Sequence, residues 1–281
     1  MDTASSLQGT GEERYLARRA PWVVGGASRG THPDRRPAAP AIVLFDMDDT
    51  VFDHSLTSRA ALARLRRGHP FLRRTALDAQ WRAYGALLNT THLPVMLGRR
   101  SSGDARRERF VRLAALAGRE IGDAEAERLS TSYRAFYQAL RRPVPGAPAA
   151  VRRWHRRARV AIVSNNTLEE QEEKLRFLGL DDAVDQLIVS ADVGVAKPDP
   201  RIFEIALRRV GGAADDAVMI GDSWESDVVG ARRSGIRPVW FNRFRIPRPE
   251  SGPVDEFRGY LPPKNLDAAV RGLPRRRRPT R

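Results

Sequence analysis

The hexapeptide from Phe45 to Thr50, FDMDDT, is the densest group of chemistry-bearing residues in the chain. Asp46 and Asp48 are separated by one residue and follow the apolar run Ala41 to Phe45. Side chains two apart in a strand point the same way, so both carboxylates converge where the strand ends. Close carboxylates repel unless a cation or a shared proton compensates. The pair therefore points to a metal, to a proton held on one acid, or to both. The competing reading is a polar turn after a strand, because Asp-rich turns are common.

Later apolar runs also end at polar groups. Val160 to Val163 leads into Ser164 and Asn165, and Leu187 to Val189 is followed by Lys197. Ala217 to Ile220 leads through Gly221 to Asp222, with Asp227 about one helical turn further on. If these runs are parallel strands, their carboxyl ends lie on one edge, where such sheets bind ligands. A carboxylate nucleophile, further acids for a metal, a hydroxyl and an ammonium suit phosphoryl transfer. Backbone amides at a helix N-terminus would add a grip on phosphate. The chain has no cysteine, and its five histidines (His32, His54, His69, His92 and His155) have no paired metal-ligand spacing. A metal here must use oxygen ligands, which favours a hard ion such as magnesium.

The elements that must position these groups follow from periodicity. Short apolar runs read as buried parallel strands. Between them, Leu168, Leu175 and Leu178 follow a capping box of Thr167 and Glu170. Phe203, Ala206, Leu207 and Val210 follow an Asp199 cap and Pro200. Ser223 starts a helix that Gly235 stops. The alternation implies an α/β fold, a Rossmann-like doubly wound parallel sheet. Residues 54–143 break the rhythm, with helical patterns over 56–67, 72–88, 106–117 and 124–140 and no strand. They read as an inserted α-helical cap domain. The expected organisation is a disordered arm over 1–39, a catalytic core over 40–53 and 144–247, the cap over 54–143, and a C-terminal segment over 248–281. That last segment ends in the basic run Arg275 to Arg278.

With these motifs in order, the chain resembles the haloacid dehalogenase-like hydrolase superfamily, in its phosphatase branch with a helical cap after the first strand. The resemblance covers about residues 41–245. It rests on FDMDDT at 45–50, Ser164 at the end of AIVSNN, Lys197 in AKPDP, and GDSWESD at 221–227. It implies that Asp46 attacks phosphorus to form an aspartyl-phosphate. Asp48 then serves as acid and base. The implied magnesium ligands are Asp46, the main chain of Asp48, and Asp222, with Asp227 in support. By the same resemblance Ser164 and Asn165 bind phosphate, Lys197 steadies Asp46, and Thr50 orients the first-motif loop. The acid at 48 separates this branch from the dehalogenases. In the family the cap selects the substrate; the candidates here are His54, His92, Arg99 and Arg100. Trp224 either stacks on a substrate ring or packs against the sheet.

The expected activity is magnesium-dependent hydrolysis of a small-molecule phosphate monoester. A sugar-phosphate mutase and a non-catalytic binding protein are the alternatives. The net charge of +15 admits a polyanion partner. The arginines are spread along the whole chain, however, and only Lys174, Lys197 and Lys264 are lysines. A compositional habit is therefore favoured over nucleic-acid binding. No run approaches the roughly 18 apolar residues of a membrane helix, and no secretory apolar stretch opens the chain. The expectation is a soluble, cytoplasmic protein whose partner is a small phosphorylated metabolite.

Overall fold

The computed structural model describes residues 40–250 and 253–271. The expected arm at 1–39 and the basic run at 275–278 lie outside the described residues. The first strand, β1 (Ile42–Phe45), is buried on both faces. It is followed by four longer helices, α1 (His54–Arg67), α2 (Leu77–Thr91), α3 (Ser102–Leu116) and α4 (Asp123–Ala139). Then come α5 (Ala147–His155), β2 (Arg159–Ser164), α6 (Leu168–Leu178), β3 (Gln186–Val189), α7 (Pro200–Val210) and β4 (Ala217–Gly221). Last are β5 (Arg237–Phe241), β6 (Asp255–Phe257) and α8 (Lys264–Arg271).

The strands form one six-stranded sheet in the order β3-β2-β1-β4-β5-β6. Every pairing is parallel. This is the expected α/β Rossmann-like sheet. Phe45 is level with Ile162 on one side and Ile220 on the other, so β1, β2 and β4 end together. The runs are apolar throughout because the sheet is covered on both faces. On one face Ile42, Leu44, Val163, Ile188 and Met219 meet Ile202, Phe203, Ala206 and Val210 of α7. Burying each such side chain contributes roughly 1.5–3 kcal/mol. That packing fixes α7, and with it the loop that carries Lys197.

Residues 54–139 contain helices and turns, with no strand. The chain leaves the sheet and returns through a paired crossing. Val144 N donates to Val51 O (2.9 Å) and Asp53 N to Arg142 O (3.1 Å). Inside the helical block, Tyr84, Phe110 and Tyr133 form an aromatic cluster with ring centres 5.1–5.7 Å apart.

One local expectation needs correction. Thr167 stands at the start of α6, but its side chain makes no cap bond. Glu170 is instead drawn to Arg106 and Arg134, because two guanidiniums attract a carboxylate more strongly than one backbone amide. Within the segment from 248, β6 extends the sheet and α8 buries Leu266 and Val270. Among the described residues, no helix is long and apolar enough to cross a membrane.

Candidate active site

Asp46 follows β1 directly and remains tied to the sheet, its N–H donating to Ile220 O (2.8 Å). Asp49 then adopts a left-handed backbone (φ 59°), a conformation aspartate tolerates better than most residues. The turn is pinned by the Asp49 carboxylate, which accepts from Ser55 N and Ser55 Oγ (2.8 and 2.6 Å). It carries Thr50 back beneath β4. There Thr50 Oγ1 accepts from Asp222 N (3.0 Å) and donates to Asp222 Oδ1 (3.3 Å). Thr50 therefore holds Asp222 through both its backbone N–H and its carboxylate.

Asp46, Asp222 and Asp227 each place a carboxylate oxygen within 4.8 Å of the others. Lys197 Nζ lies between two of them, 2.7 Å from Asp46 Oδ1 and 2.6 Å from Asp227 Oδ1. The close approach of Asp227 depends on Gly221, because a Cβ there would lie 2.2 Å from the Asp227 carboxyl carbon. Asp227 Oδ2 also accepts from Ser223 N (3.0 Å). Burial, with repulsion from Asp227 and Asp48, pushes Asp46 up to about 7 despite the ammonium of Lys197. Burial and then repulsion from Asp46 and Asp227 push Asp222 well above the carboxylate range. Burial pulls Lys197 down, but Asp227 and Asp46 outweigh it and hold the ammonium charged. Three acids thus share one cation. The oxygen donors and the uncompensated negative charge fit a hard divalent ion.

Asp48 sits on the same edge with separate partners. Lys174 Nζ bonds both of its oxygens (2.6 and 2.8 Å), and Gln171 Nε2 donates to Oδ2 (3.0 Å). Burial raises this carboxyl, but Lys174 and His54 outweigh it and hold Asp48 well below the usual carboxylate range. Gln171 also donates to Ser164 Oγ (2.9 Å), which leaves the Ser164 hydroxyl proton free for an acceptor. Asn165 clamps the Lys197 loop from its side chain, accepting from Lys197 N (2.7 Å) and donating to Lys197 O (2.9 Å).

A depression of about 190 Å³ opens over Asp48, lined by His54, His92, Arg106, Arg109 and Glu170 among others. His54 and His92 are therefore where the cap candidates were expected. Arg99 and Arg100 do not line it. Arg99 is exposed, and Arg100 is engaged by Glu108 and the Asp104 carbonyl beside a different depression. Trp224 packs edge-on against Trp240 of β5, with ring centres 5.0 Å apart, and so packs against the sheet. Lys174, Gln171, Arg106, Arg109 and Glu170 were not singled out from the sequence as site residues. The scarcity of lysine was a signal that applied to Lys174 as much as to Lys197.

The family model for haloacid dehalogenase-like hydrolases matches residues 40–235. A phosphoserine phosphatase from Thermus thermophilus is 33% identical over 242 residues, covering 75% of this chain and 93% of that one. A glyceraldehyde 3-phosphate phosphatase from Pyrococcus abyssi is 38% identical over 104 residues, 37% of this chain and 44% of that one. The crystal structure of the hydrolase YfnB from Bacillus subtilis, bound to magnesium, has the same fold. Its TM-score is 0.65 at 24% identity, covering 79% of this chain and 96% of that one. The chain belongs to the haloacid dehalogenase-like hydrolases. Within that family it is a phosphatase.

Proposed function

We propose that the chain is a magnesium-dependent phosphatase, acting in the cytoplasm on a small phosphate monoester through an aspartyl-phosphate. The observation that carries this reading is the buried set of Asp46, Asp222 and Asp227 around Lys197, at one edge of a parallel sheet. Asp46, the main-chain carbonyl of Asp48, and Asp222 would hold magnesium, with Asp227 in support. When bound, the ion neutralises phosphate oxygens and the charge that develops on them.

The residues divide the reaction between them. Asp46 attacks phosphorus, and Lys197 orients it and offsets charge on the transferring group. Ser164 donates its hydroxyl to a phosphate oxygen, and Asn165 holds the Lys197 loop in register. Asp48 carries a proton to the leaving oxygen and later takes one from the attacking water. Lys174 favours the anionic form that accepts that second proton. Thr50 keeps Asp222 aimed. The compact depression over Asp48 suits a small metabolite.

The test is phosphate release from a panel of phosphate esters, with magnesium and with a chelator. Magnesium-dependent release from small esters is expected. Isomerisation faster than release would indicate a mutase. No turnover of any ester would indicate a binding protein on this fold.

A further inference from the structure

Helix α3 turns Ser102, Arg106 and Arg109 toward the depression over Asp48, a spacing of four and then three residues along one helical face. A third arginine, Arg134, enters from α4. Arg106 and Arg134 both bond Glu170, at 3.2 and 3.3 Å, and Arg134 also bonds Glu173 at 2.5 Å. Both are paired with acids within the protein. Arg109 differs.

Arg109 is only 5% exposed. Its Nε donates to Ala105 O (3.2 Å), and its guanidinium lies 5.3 Å from the centre of the Tyr84 ring. Among the described residues no carboxylate pairs with it. A guanidinium has five N–H donors. A buried charge is costly without a partner, and Arg109 lines the depression, from which a ligand can supply one. The planar fork matches a carboxylate or phosphate in two parallel hydrogen bonds. Burial and the Arg109 charge push the neighbouring His92 down to about 4, so it adds a hydrogen-bonding ring and no charge. The depression, at about 190 Å³, is smaller than the roughly 300–1,000 Å³ of ordinary small-molecule pockets.

We propose that Arg109 is the receptor for a second anionic group on the substrate, which is a compact phosphate ester bearing a carboxylate or a second phosphate. The scissile phosphate lies at Asp46 and Asp48, and the second anion is read by Arg109 from the helical block. This rests on the phosphatase reading above. It makes Arg109 a specificity residue that acts through substrate binding.

Matched substrate pairs test it. O-Phosphoserine against O-phosphoethanolamine differs by one carboxylate. 1,3-Propanediol bisphosphate against the monophosphate differs by one phosphate. The wild-type enzyme with magnesium should prefer the doubly anionic member of at least one pair by about tenfold or more in kcat/KM. The pair that responds identifies the anion. Arg109→Gln should abolish that preference by raising KM for the doubly anionic member, with its kcat changed far less. Arg109→Met, similar in length and uncharged, replaces it should the glutamine variant not fold. Equal use of both members of both pairs overturns the proposal, and so does a preference that survives loss of Arg109. The wild-type comparison alone is enough to reject it. If no ester is hydrolysed at all, p-nitrophenyl phosphate included, the phosphatase reading falls and this inference falls with it. Hydrolysis without preference overturns only the inference.

Discussion

Lys197 joins Asp46 to Asp227 across two strand ends, and Lys174 joins α6 to Asp48. Both lysines are buried in a chain that otherwise uses arginine for nearly every positive charge. A compact ammonium can sit among several carboxylate oxygens where the larger guanidinium fork does not fit. Removing Lys174 leaves Asp48 with only neutral donors and a distant His54. Lys174→Met should therefore destabilise the fold by about 1–3 kcal/mol at neutral pH. The sign follows from the depressed Asp48 carboxyl. Its contribution is present above the ordinary carboxylate pKa of about 4 and is lost as the pH falls below it. Urea denaturation of both proteins at pH 7 and pH 3 checks this, and the difference between them should shrink at pH 3. Asp46, Asp48, Ser164, Lys197, Asp222 and Asp227 were legible in the sequence because each follows an apolar run at a motif position. Arg109 was not legible. Arg99, Arg100, Arg106, Arg107 and Arg112 surround it in sequence, and only the rotation of α3 decides which of them faces inward.

At the scale of elements, legibility followed hydrophobic pattern. β1, β2, β3 and β4 are largely apolar and were placed to within a residue or two. β6 has the sequence Asp255-Glu256-Phe257, with one apolar residue. As an edge strand it needs only one buried face, so its composition resembles a loop. The helix after Ser223 begins with a π-helical turn over Trp224–Val229. Such turns are frequent at functional sites, and this one carries Asp227 toward Lys197. The apolar face of α7 was legible from Phe203, Ala206 and Val210. Phe203 is fully buried between α7 and the sheet. Phe203→Ala should cost about 3–5 kcal/mol, read as a lowered thermal midpoint. Because α7 sets the Lys197 loop, activity should fall before global unfolding does.

Across the whole molecule, a strained cluster of acids sits beneath a helical block whose arginines are largely spoken for. Asp46 and Asp222 both titrate high because negative charge is crowded and buried among them. A divalent cation relieves that repulsion in the folded state alone. Magnesium at about a hundred times its dissociation constant should raise stability by roughly 2.7 kcal/mol, or about 5–10 °C in Tm. Differential scanning fluorimetry with and without magnesium checks this, and Asp222→Asn should lose most of the gain. Many arginines of the described residues pair with acids such as Glu108, Glu170 and Glu173, which offsets part of the positive charge locally. The insertion between β1 and β2 was legible as a stretch with helical periodicity and no strand. Its inward face was not, because that depends on packing across α1 to α4.

The central claim is that Asp46 attacks phosphorus, and the turnover rate of Asp46→Asn tests it most directly. The variant keeps the size and shape of the side chain but loses the nucleophilic carboxylate. Magnesium-dependent hydrolysis of p-nitrophenyl phosphate should fall by at least about a thousandfold, with the circular dichroism spectrum unchanged. Turnover at the wild-type rate would contradict the account.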